Sequence, residues 1–151
     1  MLNILAARWD RLSVVTTVLL AMGMSAGAVE AQLRIYNPKP LPFSNEITDT
    51  LSDNDIPTGQ SGFARDYTVI LKERDQITID LTSDQFDTIV TLLDANGSTV
   101  AENDDGPDGS TNSLLFARIV ESGSYIVRVR AFGEKRGGHF TLKLTRLRPV
   151  L

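Results

Sequence analysis

Past residue 45 the chain alternates apolar and polar side chains with a period of two. Tyr67, Val69 and Leu71 share one face, and Ile77, Ile79 and Leu81 stand against Thr78, Asp80 and Thr82. Tyr125, Val127 and Val129 alternate with Ile126, Arg128 and Arg130; Phe140, Leu142 and Leu144 alternate with Thr141, Lys143 and Thr145. Each pattern predicts a half-buried strand. Phe86 to Leu93 is apolar at most positions, which predicts a strand covered on both faces, and Glu46 to Leu51 reads as a first, edge strand. Asp94-Ala95-Asn96-Gly97 then turns the chain into a second arm, Ser98 to Glu102. The Asn-Gly pair predicts a type I′ hairpin turn, because Asn and Gly tolerate positive φ. Another apolar run spans Leu114 to Val120.

Turn-forming residues cluster at Ser52–Gly62, Lys72–Asp75, Glu121–Ser124 and Gly133–Gly138, and no segment from Gln32 onward sustains a 3.6-residue period. About seven to nine short strands with turn signals between them predict an all-β fold, an antiparallel jelly-roll-like β-sandwich over residues 46–148. Tyr67, Phe86, Phe116, Tyr125 and Phe140 are the expected large core residues, and Arg146 to Leu151 is expected to fray.

The N-terminal third differs. Arg8 and Arg11 precede an apolar run from Leu12 to Met24, followed by Ser25, Ala26, Gly27 and Ala28. This is the order of a secretory signal peptide. Cleavage after Ala28 or after Ala31 fits the small-residue rule; the second makes 1–31 the signal and Gln32 the mature start. The competing reading is an uncleaved anchor, for which the 18 uncharged residues from Leu12 to Val29 are short. Residues 32–45 carry Pro38, Pro40 and Pro42, which suit an extended lead-in, with a short strand at Leu33–Tyr36.

Composition narrows the chemistry. The net charge is −4, against nucleic acid and without cause to expect docking on an anionic membrane surface. Absence of cysteine and a single histidine remove most zinc, haem and thiol chemistry. A domain without disulfides must rest on its apolar core.

The densest polar chemistry lies in Asn103-Asp104-Asp105-Gly106-Pro107-Asp108-Gly109-Ser110-Thr111-Asn112-Ser113. Calcium takes six to eight oxygen ligands, and Glu102, Asn103, Asp104, Asp105, Asp108 and Asn112 carry many in a short span. The spacing is not that of an EF-hand, since the twelfth position from Asp104 is Leu115. The plainer reading is a solvated turn whose aspartates cap backbone N–H groups. Asp66 and Asp87 are each expected at a strand start, fixing it by local hydrogen bonds. His139 is expected on the face opposite Phe140, exposed and without the oriented partner and nucleophile that a catalytic triad needs. Asp87 with Asp105 could be imagined as a glycosidase pair, and solvated turns explain both better. Arg128 and Arg130, with Arg118 on the preceding strand, would form a basic strip for an acidic polymer or a plain solvated sheet face.

The order of motifs resembles the bacterial pre-peptidase C-terminal domain family. The matching pieces are Asp66-Tyr67, Phe86-Asp87-Thr88, Asn103-Asp104-Asp105 with Asn112-Ser113, Gly123-Ser124-Tyr125-Ile126-Val127-Arg128-Val129, and Gly138-His139-Phe140-Thr141-Leu142, covering about residues 46 to 145. The resemblance implies a non-catalytic accessory sandwich that in some collagenase members binds calcium and collagen. It adds Asp66 to the candidate calcium ligands Asn103, Asp104, Asp105 and Asp108. Phe43-Ser44-Asn45-Glu46 matches the acidic lead-in of calcium-binding members only partly, and no peptidase domain precedes the module.

The expected function is therefore an exported, periplasmic or extracellular, non-enzymatic module binding a protein or extracellular polymer, with calcium as the candidate ion and no nucleic acid or membrane partner. A second reading is an assembly subunit of a separately encoded secreted peptidase. A small hydrolase comes third.

Overall fold

The computed structural model describes residues 36–59, 62–107, 109–133 and 137–148. The proposed signal and Leu33 to Ile35 of the short strand expected at its border lie outside them. The described residues hold ten strands and no helix: β1 Lys39–Pro40, β2 Glu46–Leu51, β3 Ile56–Pro57, β4 Phe63–Leu71, β5 Gln76–Thr82, β6 Thr88–Leu93, β7 Thr99–Asn103, β8 Ser113–Arg118, β9 Gly123–Ala131 and β10 Gly138–Leu147. They form two sheets. The first runs β1-β4-β9-β6-β7, with β3 also pairing β4; the second runs β2-β10-β5-β8. All pairings are antiparallel except the two-residue β1, which lies parallel to β4 through Lys39↔Tyr67 and Pro40↔Thr68. The prolines of the lead-in thus sit where proline is tolerated, at a sheet edge.

The inward positions are those the alternation selects. Tyr67, Val69 and Leu71 of β4, Val127 and Val129 of β9, Ile77, Ile79 and Leu81 of β5, and Leu142 and Leu144 of β10 form one buried cluster between the sheets. Phe140 joins the layers, meeting Tyr67 and Phe86 edge-on with ring centroids 6.4 Å away in each case. Each such ring contributes about 2–3 kcal/mol by leaving water. β6 is covered on both faces, as its apolar run predicts; only Ile89 is half-buried.

Several local expectations change. Phe116 is not in the core: it is 57% exposed. On β8 the inward parity belongs to Ser113, Leu115 and Ala117, because Ser113 is drawn in to bond Thr88 (Oγ to Oγ, 2.6 Å). The Asn96-Gly97 turn is not type I′. Gly97 has φ +82°, but Asn96 is not among the residues with positive φ; the Gly97 N–H donates to the Asp94 carbonyl at 3.0 Å and the register slips between Leu92 and Leu93. This is the three-residue hairpin loop with a glycine bulge. Nor do Arg146 and Leu147 fray: β10 reaches Leu147, paired to Gln76.

One glycine pair is dictated by close approach. Gly137 has φ +107°, and a Cβ there would stand 2.5 Å from the Leu51 carbonyl oxygen; one on Gly138 would meet the Gln85 side chain, which accepts the His139 N–H. Only glycine starts β10 so close to the end of β2.

Candidate functional site

The acidic loop carries the chain from β7, at the edge of one sheet, to β8, at the edge of the other. It closes on itself. The Asn103 side-chain amide donates to the carbonyls of Asp105 (2.9 Å) and Leu114 (2.8 Å), and the Leu114 N–H donates to the Asp105 carbonyl at 3.0 Å. Further along, the Asn112 side-chain oxygen accepts from the Ser83 N–H at 2.9 Å, and Thr88 accepts and donates around Thr111 and Ser113. Asp104 and Asp105 are exposed on this frame, and Asp108 lies outside the described residues.

Asp66 is elsewhere. Asp66 stands opposite Arg128, Arg128 opposite Thr91, and Thr91 opposite Glu102. Three strand spacings, about 14 Å, therefore separate it from the strand that leads into the loop. It does not sit at a strand start either, but inside β4, with its side chain fully buried. Arg128 grips it with both ends of the guanidinium, Nε to Oδ1 and Nη2 to Oδ2, each at 2.8 Å. Those hydrogen bonds raise the Arg128 pKa above its ordinary value; burial, then the Asp66 charge, raise that of the nearby Tyr36 phenol. Of the five candidate calcium ligands, the described part of the chain brings Asn103, Asp104 and Asp105 together and leaves Asp66 out. Among the described residues no three acidic or histidine side chains converge as a metal site.

The basic strip is not assembled. Arg118 belongs to the second sheet, Arg128 and Arg130 to the first, because the chain crosses between layers after β8. On the first sheet each arginine meets its own carboxylate: Arg128 meets Asp66, and Arg130 meets Glu102 at 2.8 Å, which also accepts from the Thr91 hydroxyl at 2.6 Å. A groove of about 320 Å³ runs over them, and Arg130 Nε is buried without a partner among the described residues.

His139 is exposed, as expected, and its Nδ1 lies 2.8 Å from the Thr50 hydroxyl. Among the described residues no carboxylate bonds the other ring nitrogen, so the pair lacks the orienting group of a nucleophile–base couple. Beside it opens a polar hollow of about 380 Å³ lined by Thr48, Thr82, Asp84, Asn112 and Thr141.

The strongest charge network joins the two sheets and was not foreseen. Asp49 on β2 accepts from Tyr67 Oη and Arg65 Nη1 on β4, both at 2.8 Å, and from Lys39 Nζ at 3.1 Å. Arg65 also reaches Asp55 at 2.7 Å. Burial alone would raise the Asp49 pKa; the Thr50 N–H and the hydrogen bonds from Tyr67, Lys39 and Arg65 outweigh it and lower the value to about 2. Burial, and then the bond to Asp49, raises the Tyr67 pKa. The signal available in sequence was the Asp66-Tyr67 pair, which marks the strand but not the Tyr67 partner across the sheets.

These features define an all-β sandwich in which Asp49, Asp55, Asp66 and Glu102 are each paired with an arginine. Residues 64–131 match the family profile of the bacterial pre-peptidase C-terminal domain. The match runs from Ala64 in β4 to Ala131 at the end of β9. The fold is similar to the crystal structure of the pre-peptidase C-terminal domain of a collagenase from Bacillus anthracis, with a TM-score of 0.53 and 12% identity over 72% of this chain and 95% of that one. It is also similar to Aeromonas hydrophila PliG, a periplasmic inhibitor of g-type lysozyme, with a TM-score of 0.51 and 12% identity over 74% and 96% of the two chains. No curated protein matches it in sequence.

Proposed function

We propose that this chain is an exported, non-catalytic module that binds a protein or an extracellular polymer outside the inner membrane. The observation that carries the reading is the family match across β4 to β9, on a sandwich in which the buried Asp66 and the inter-sheet Asp49 are tied into structural pairs. Export is supported by the signal-like N-terminus and by the fold shared with a periplasmic inhibitor. The same likeness favours a second reading, in which the partner is a separate enzyme, since PliG is a sandwich of similar extent that acts on one. The bonds that the Asn103 and Asn112 side chains make across and beside the loop support a reading in which binding does not wait on calcium.

The test is affinity capture with the tagged protein recovered from the exported fraction, run with calcium and with chelator. Retention on cell-wall or matrix polymer supports the first reading, and a co-purifying secreted peptidase or glycan hydrolase supports the second. Turnover on a hydrolase panel, lost in His139→Ala, would sink both.

A further inference from the structure

Three of the exposed apolar side chains, Phe43, Ile70 and Val120, lie with a group of exposed cations at one end of the sandwich. That end holds the β4–β5 turn, the β8–β9 connection and the close of β10, drawn together by the Arg74 N–H bond to the Ile119 carbonyl and the Ile119 N–H bond to the Asp75 carbonyl, both at 2.8 Å. Phe43 stands at the tip of a turn in which the Asn45 N–H donates to the Pro42 carbonyl at 2.8 Å, and it is wholly exposed at 108%. Ile70 is 67% and Val120 73% exposed. Arg146 links the parts, donating to the Ile70 carbonyl at 2.9 Å and to the Asn45 side chain at 3.3 Å. Beside it a hollow of about 650 Å³ runs between Pro40, Phe43 and Ile70.

Charge is divided unevenly between the two ends. The cations at this end are Lys72, Arg74, Arg118, Arg146 and Arg148, against Glu73, Asp75, Glu121 and, in the β6–β7 turn that the Leu93–Ile126 pairing brings to the same end, Asp94. Asp75 is committed to the Lys72 N–H and to Arg146, and Glu73 to Arg74. Lys72, Arg118 and Arg148 make no ion pair among the described residues. The opposite end carries exposed Asp53, Asp84, Asp104 and Asp105. Among the described residues the two ends therefore differ in charge, which would turn the less acidic end toward an anionic surface.

We infer that this end is a membrane-docking surface, which sets Phe43, Ile70 and Val120 into the interfacial layer of an anionic bilayer while Lys72, Arg74, Arg118 and Arg148 meet its headgroups. Apolar tips ringed by basic side chains suit that boundary, where apolar burial and headgroup attraction add. The binding is reversible and salt-sensitive, and it is independent of which protein or polymer the module holds.

Vesicle flotation of the purified protein tests it. Vesicles containing phosphatidylglycerol should float the protein, phosphatidylcholine vesicles should not, and added salt should release it. Both a Phe43→Ser/Ile70→Ser variant and an Arg74→Glu/Arg118→Glu variant should bind at least about ten-fold more weakly. Unchanged melting midpoints would show that both variants are folded. Equal binding to both vesicle types, no binding to either, or variants that bind like the parent would each overturn the inference. So would a dimer in solution that Phe43→Ser dissolves, which would give the surface to a second copy of the chain.

Discussion

Asp49 shows how one carboxylate can join two layers. Its oxygens take hydrogen bonds from Tyr67, Arg65 and Lys39 of the first sheet and from the Thr50 backbone of the second. Its pKa in the fold, about 2, lies below the ordinary 3.8. A carboxylate held down in this way binds protons more readily when the chain unfolds. Its contribution is therefore complete above the ordinary value and is lost as pH falls through about 2. With the side chain only 20% exposed, the contribution amounts to about 2 kcal/mol. Denaturant titrations of the parent and of Asp49→Asn should differ by about that much at neutral pH and converge as the pH drops from about 4 to about 2. A gap that persists at the acid end would mean that the network acts through shape and not through charge.

Strands were legible from alternation wherever one parity was clearly polar. β4, β5, β9 and β10 each offered one apolar row, and that row is the buried one. β8 offered two, Leu114 with Phe116 and Leu115 with Ala117, and periodicity alone could not choose. The choice came from a neighbour: Thr88 and Ser113 satisfy each other inside, which fixes the parity and turns Phe116 out. The hidden parts of the candidate site share this cause. Asp66 meets Arg128 only once cross-strand register is set, and Asp49 meets Tyr67 only once the two sheets face each other; neither is written in a segment by itself. The parity of β8 can be checked by mutation. Phe116→Ser should leave stability within about 0.5 kcal/mol of the parent, as for ordinary surface changes. Phe140→Ala, which empties the contact with both Tyr67 and Phe86, should cost about 3–5 kcal/mol. Comparable losses in the two variants would refute the assignment of faces.

At the scale of the whole molecule, a sandwich must carry its chain from one sheet to the other, and here the acidic loop does so between β7 and β8. In a calcium-dependent domain the ion would hold such a crossing by gathering carboxylates. In this chain the crossing is held by neutral groups: the Asn103 amide across the neck of the loop, Asn112 on the Ser83 backbone, and the Thr88–Ser113 pair at its return. Asp66, which the family resemblance would add to the ligands, is spent on Arg128. If these bonds suffice to hold the crossing, the thermal melt should show the same midpoint in millimolar calcium and in chelator. The measurement is sensitive enough to decide. An ion that binds only the folded state adds about 2.7 kcal/mol at a hundred times its dissociation constant. A gain of that size moves the midpoint of a domain this large by roughly ten degrees. A rise on that scale would require a site built from Asp104, Asp105 and Asp108, and would return the loop from a structural crossing to a calcium switch.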